Sequence, residues 1–183
     1  MDLKPLSRFS APQFYRYLLG SFFMIEPDKR PDRGTPPTRT FAIRAYSDTD
    51  YPAVADILNR AKLVDEARDN RECLARKFER DPGSIFVAQA NDGKIIGTVF
   101  TVSDGWAAFI FRLAVHPDFR GAKDQNDKTV GMLLMEAAEA RLRSQGARDV
   151  GITVNDEQLT LKAWYEKQGY RQTGSYRFMW KDL

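Results

Sequence analysis

Cysteine and histidine are almost missing from this chain, with one of each, Cys73 and His116, among 183 residues. A lone cysteine excludes an intrachain disulfide and fits a reducing compartment. The same scarcity leaves no spaced Cys/His cluster of the kind that holds zinc, so no metal is expected. Long apolar runs are missing too. Leu18 to Ile25 falls far short of the roughly 20 residues needed by a membrane-spanning helix, so no membrane span is expected. Charge of one sign is also scarce: the net charge is +3, and the surplus sits at the front. There Lys4, Arg8, Arg16, Lys29, Arg30, Arg33 and Arg39 outnumber Asp2, Glu26, Asp28 and Asp32, and the remainder is balanced. A nucleic-acid binder would carry a basic stripe on the domain itself. None is visible, so nucleic acid is not an expected partner.

What remains is the composition of an ordinary soluble protein, 43% hydrophobic and 29% charged, long enough for one domain with a core and an appendage. The appendage is residues 1–38. Ser10-Ala11-Pro12-Gln13 reads as a capping box with proline in the first turn, and Phe14, Tyr17, Leu18, Ser21 and Ile25 then share one helical face. An amphipathic helix that packs on the domain or on a partner subunit is one reading. An organellar targeting segment in residues 1–30 is another, since Arg8 and Arg16 lie among aromatics. Lys29 to Thr40, rich in proline and charge, reads as a linker, so the main domain is placed at 39–183.

Phe41-Ala42-Ile43-Arg44 alternates as a strand, and Val54, Ile57, Leu58 and Ala61 fall on a helical face after the capping run Ser47–Asp50. A second helix carries Cys73, Leu74 and Phe78 and stops at Asp81-Pro82-Gly83. Two strands, Ile85–Ala88 and Ile95–Phe100, flank the turn Asn91–Lys94, and a third runs from Ala107 to Val115. Trp106, Phe109 and Phe111 read as sheet packing. Val150–Val154 is the next strand, Leu159–Gln168 the last helix, ended by Gly169, and Arg177–Trp180 the last strand.

The organising stretch is Phe111 to Gln145. A buried strand ends at His116-Pro117-Asp118, because proline cannot donate to a ladder. A polar loop, Arg120 to Thr129, leads into a long helix whose apolar face is Val130, Leu133, Leu134, Ala137, Ala138 and Leu142. Free N–H groups at such a helix start suit a phosphate or pyrophosphate.

Leu113-Ala114-Val115-His116-Pro117-Asp118-Phe119-Arg120-Gly121 followed by Val130-Gly131-Met132-Leu133-Leu134 resembles the acetyl-CoA-binding motif of GCN5-related N-acetyltransferases (GNAT). Ala163-Trp164-Tyr165-Glu166-Lys167-Gln168-Gly169-Tyr170 is similar to that family's closing helix-and-turn signature. The resemblance runs from Thr40 to the C-terminus. It implies an α/β fold, the GNAT fold, with a mixed, mostly antiparallel sheet of about seven strands flanked by about four helices.

The resemblance also implies a function: acetyl transfer from acetyl-CoA to a primary amine of a small molecule or protein, with acetyl-CoA as cosubstrate, in the cytoplasm. Leu113, Ala114 and Val115 would hold the pantetheine arm and acetyl carbonyl. Arg120, Gly121, Thr129, Val130, Gly131 and Met132 would hold the pyrophosphate. Tyr165 matches the tyrosine that protonates the departing thiolate. Asn155 or Gln158 stands where the family has a cofactor-binding asparagine. The helices and connection between residues 51 and 80 would wall the acceptor pocket, where Asp65, Glu66 and Asp69 would suit a cationic amine. Two copies would pair through the N-terminal helix or a sheet edge.

The chain departs from the family pattern in three places. Ala122 to Asp127 is six residues of insertion, and Thr129 replaces a glycine. No carboxylate lies between Ala107 and Leu113 to act as base, which leaves His116, Asp65, Glu66, Asp104 or a water chain. These departures would equally suit a degraded, non-catalytic acyl-CoA-binding or regulatory module.

Overall fold

The computed structural model describes residues 41–174, together with Met179 and Lys181. The expected N-terminal helix and linker therefore lie outside the described residues, as does the last strand apart from Met179.

Four strands form the sheet in sequence order: β1 (Phe41–Ala45), β2 (Ile85–Ala90), β3 (Ile95–Ser103) and β4 (Ala108–Val115), each antiparallel to the next. The β2–β3 hairpin closes where expected, with Gly93 at φ +85° and its N–H donating to Ala90 O at 2.9 Å. Side-chain alternation sends residues from these strands to two separate cores. On one face α1 (Tyr51–Arg60) and α2 (Arg71–Arg80) bury Val54, Ile57, Leu58 and Leu74 against Ile85, Val87, Phe100 and Ala114. On the other, α3 (Val130–Ser144) and α4 (Leu159–Lys167) bury Val130, Leu134, Leu142, Leu161 and Tyr165 against Ile96, Val99, Leu113 and Val115. Each large aliphatic fully buried this way contributes roughly 1.5–3 kcal/mol.

Gly97 shows how closely α3 lies on the sheet. A Cβ there would stand 2.9 Å from the Leu134 side chain and 3.1 Å from the Ala114 carbonyl oxygen. Only glycine permits that approach.

Two expectations need correction. The strand placed at Val150–Val154 is a single parallel bridge, Gly151 to Phe109, with Gly151 N–H donating to Ala108 O and its carbonyl accepting from Ile110 N. The described sheet thus has four strands rather than about seven. In β4, Phe111 pairs with Phe100 but Ala114 pairs with Thr98, so one extra residue bulges at Arg112–Leu113. A bulge of this kind bends its strand and increases the local twist. The second correction concerns Trp106, expected in the sheet packing. It is 92% exposed on the β3–β4 turn, where Asp104 accepts from the Trp106 and Ala107 N–H groups. Phe109 and Phe111 do stack, at 5.8 Å between ring centres.

Candidate active site

Beyond Val115 the chain makes a short 3-10 turn, Pro117–Phe119, capped by His116, whose Nδ1 accepts from Asp118 N–H at 3.3 Å. His116 is buried, and desolvation lowers its pKa. Its ring nitrogen is committed to the turn, so it is a cap rather than an available base. Arg120 turns back and donates from Nε to the Val115 carbonyl at 3.4 Å. Burial pulls its guanidinium below its usual pKa, and no carboxylate pairs with it among the described residues. Gly121 follows at φ +75°, a conformation that suits glycine.

The helix start lies beside this turn. Thr129 is the N-cap of α3, its hydroxyl accepting from Met132 N–H at 3.3 Å. The Met132 amide, expected in the pyrophosphate cradle, is therefore engaged by its own cap. Gly121 and Gly131 differ: neither N–H group donates a backbone hydrogen bond among the described residues. Gly131 is enclosed by Val115 and Trp164, with the Trp164 ring 3.6 Å from where a Cβ would stand. In the sequence Trp164 stands only as a member of the closing helix-and-turn signature. Its place on α4 one position before Tyr165 gave no signal that it would reach the start of α3.

The insertion closes on itself. Lys123 and Thr129 form an antiparallel bridge, and Asp124 N–H donates to Lys128 O at 2.9 Å. The Asp124 carboxylate accepts from Asn126 N–H at 2.9 Å and Lys128 N–H at 2.8 Å. The Lys128 and Asn126 backbone hydrogen bonds hold its pKa below the usual carboxylate range. Asp127 pairs with Lys123 at 2.7 Å. Asp124 and Asp127, whose free carboxylates would repel a pyrophosphate, are thus occupied inside a small hairpin whose ends meet.

Donor chemistry fits a pyrophosphate here: unengaged amides at the positive end of a helix dipole, next to a half-buried arginine without a carboxylate partner. Gly121, Gly131 and Arg120 are the residues whose donors would hold it.

Tyr165 is 5% exposed, and its ring is edge-on to Trp164 at 5.0 Å and to Tyr170 at 5.5 Å. Burial raises the pKa of its hydroxyl, so the phenol stays protonated through the neutral range. It lines a cavity of about 300 Å³ together with Thr153, Val154 and Asn155. Tyr170 lines the same cavity, and its hydroxyl donates to Glu139 at 2.8 Å. Of the two amide candidates, Asn155 lines the cavity, while Gln158 is the N-cap residue of α4 and donates from its backbone to Asn155 O. Leu113, Val115, Val130 and Tyr165 share one buried cluster, whereas Ala114 faces the opposite core.

The acids expected on the acceptor side are mostly committed. Asp69 is buried and paired with Arg112 at 3.0 Å; Asp65 accepts from Ala67 N–H and pairs with Arg68 at 3.1 Å. Asp104 belongs to its turn, and its pKa is lowered by the Ala107 and Trp106 N–H groups. Among the described residues no three His, Cys, Asp or Glu side chains gather in a metal-holding group. No helix there is long and apolar enough to cross a membrane.

A bulged antiparallel sheet, an amide-lined helix start and a buried tyrosine on the last helix define an acyl-transferase architecture, and comparison with known proteins agrees. The profile of the acetyltransferase (GNAT) family matches residues 51–170. Acetyltransferase ECA0875 of Pectobacterium atrosepticum is 30% identical over 128 residues, 70% of this chain and 86% of that protein. Glucosamine-6-phosphate N-acetyltransferase from Arabidopsis thaliana superposes with a TM-score of 0.59 at 25% identity, over 78% of this chain and 99% of that one. The aminoglycoside N-acetyltransferase AAC(6')-Iy, solved with CoA, gives 0.61 at 19% identity over 81% of this chain and 99% of its own, a likeness of fold. The chain belongs to the GNAT family of acetyltransferases.

Proposed function

We propose that this protein transfers an acetyl group from acetyl-CoA directly to a primary amine of a small molecule or protein, with Tyr165 as general acid. The observation that carries this reading is the state of Tyr165: buried, protonated, lining a cavity, and in the same core cluster as Leu113 and Val115. Acetyl-CoA, when bound, supplies the acetyl group as an activated thioester. Gly121, Gly131 and Arg120 hold its pyrophosphate, and Leu113 to Val115 its pantetheine arm. As the amine nitrogen bonds to the acetyl carbon and the carbon–sulfur bond breaks, the Tyr165 hydroxyl gives its proton to the leaving sulfur. The amine's proton passes to solvent water, from which the phenolate is reprotonated. Positioning supplies much of the rate, and the acid a further factor.

The first test is titration calorimetry with acetyl-CoA and with CoA, followed by turnover of Tyr165→Phe. Micromolar binding with kcat reduced roughly 100-fold or more and unchanged cofactor affinity is expected. Equal turnover by Tyr165→Phe removes the tyrosine from the mechanism. No binding at millimolar acetyl-CoA removes the CoA-dependent reading altogether.

A further inference from the structure

Arg112 is the one charged side chain in β4, and it sits where the strand departs from regular geometry. It occupies the bulge with Leu113, both facing the single residue Val99 across the ladder, and its φ is +53°. A non-glycine residue in that left-handed region carries a cost that its surroundings must offset. The surroundings are Asp69. Arg112 Nε lies 3.1 and 3.0 Å from the two carboxylate oxygens, and a terminal guanidinium nitrogen lies 3.0 Å from Oδ2. Both side chains are buried, at 10% and 5% exposure. Asp69 is anchored in turn, its Oδ2 accepting from Asp65 N–H at 2.7 Å and its own N–H donating to Asp65 O at 2.7 Å.

The pair joins two parts of the chain with separate tasks. Arg112 directly precedes Leu113–Val115, the segment that holds the thioester arm in the proposed function, on which this inference rests. Asp69 belongs to the 61–70 connection, which in the proposed function walls the acceptor side. A buried ion pair with its remaining acceptors satisfied is a weak source of stability but a strong geometric constraint. We infer that the Asp69–Arg112 pair is a positioning device that fixes the acceptor wall against the bulge of β4, and so sets the distance between amine and thioester. Neither residue touches the reacting atoms in this account. Their effect falls on amine transfer and spares cofactor binding.

The test uses the full chain and a fixed panel of amines: glucosamine 6-phosphate, neamine and a peptide with a free amino terminus. Asp69→Asn and Arg112→Lys are compared with wild type in three readouts: acetyl-CoA affinity by calorimetry, kcat and KM for the amine, and hydrolysis of acetyl-CoA without amine. Arg112→Lys keeps the charge that neutralises Asp69 but loses the two-point fork. It carries the test alone if Asp69→Asn does not fold.

The expected result is a roughly 10- to 100-fold loss in kcat/KM for the amine, the scale of a misplaced reactant, with acetyl-CoA affinity and hydrolysis within about twofold of wild type on the same scale. In Asp69→Asn/Arg112→Gln, where two neutral amides restore a hydrogen bond without a lone buried charge, part of the lost amine transfer returns. Parallel losses in cofactor affinity and amine transfer would make the pair merely structural and overturn the inference. So would unchanged amine transfer in an active background. Absence of amine turnover in wild type defeats the proposed function itself, and this inference with it.

Discussion

Two irregular connections of this fold make an instructive contrast. The segment 61–70 between α1 and α2 bonds almost entirely to itself and to the sheet. Asp65 and Asp69 accept backbone N–H groups, Asn70 caps α2 through Cys73 N–H at 3.0 Å, and the Asn70 amide donates back to Glu66 O and Ala67 O. The segment 116–129 between β4 and α3 is bonded at its turn and within its insertion but leaves Gly121, and then Gly131 beyond it, without acceptors among the described residues. Buried or clustered backbone donors are ordinarily satisfied. A group of unengaged amides at a helix start is therefore a place where a ligand is accommodated, while a saturated loop is a wall. Damage to the first connection should cost stability, and damage to the second should cost affinity.

The largest effect expected is at Asp50, outside both connections at the entry to α1, and it sets the scale for them. Arg44 donates to it at 2.7 and 2.8 Å and Ser47 N–H at 2.8 Å, and the Arg44 hydrogen bonds hold its carboxyl below the usual pKa. Asp50→Asn should lower stability by about 2 kcal/mol at pH 7. Because the folded pKa lies below the unfolded one, this contribution is complete above the ordinary carboxylate range and is lost as pH falls through the folded value. Urea melts of wild type and variant should therefore converge in acid, and a deficit independent of pH would disprove the assignment.

Asn70→Ala comes next, with about 1–2 kcal/mol lost through the cap and its back-donations, and no change in CoA affinity. Thr129→Ala is the matching change in the other connection. Its cap is longer, 3.3 Å, so about 1 kcal/mol or less is expected in thermal melts. A larger loss than for Asn70→Ala would reverse the ranking of the two loops. The smallest effect belongs to excision of Ala122–Asp127: calorimetry with CoA should register a change of no more than about threefold, since loop length matters little to closure. A tenfold loss would mean that the hairpin itself is part of the cradle.

Much of this was legible in the sequence because it rests on local rules. Helical spacing at Val54, Ile57, Leu58 and at Val130, Leu134, Leu142 located α1 and α3, and Gly169, at φ +90°, ended α4 as its C-cap signal required. The motif around Arg120, Gly121 and Gly131 was readable for the same reason, since a turn, a cap and a helix start are written in consecutive residues. Other features left no local trace. Trp106 is as apolar as Phe109 in a sequence, and only the turn geometry set by Asp104 turns it to solvent. Val150–Val154 has strand-like residues, yet its pairing with β4 goes no further than the Gly151–Phe109 bridge. Asp65 and Asp69 read as free acids for a cationic amine until Ala67 N–H, Arg68 and Arg112 were seen to engage them.

The sequence by itself determined the family, the order of the four helices and the first four strands, and the helix start proposed to face a pyrophosphate, because each depends on periodicity, caps and spacing within a few residues. Tertiary structure alone decided which acids are free and how the insertion closes. It also decided that Trp164 reaches Gly131 and that Arg112 meets Asp69 across 43 residues of chain. Those are contacts between segments distant in sequence, and pairing of that kind is fixed by the packing of two helical layers on a bent sheet rather than by any residue's own preference.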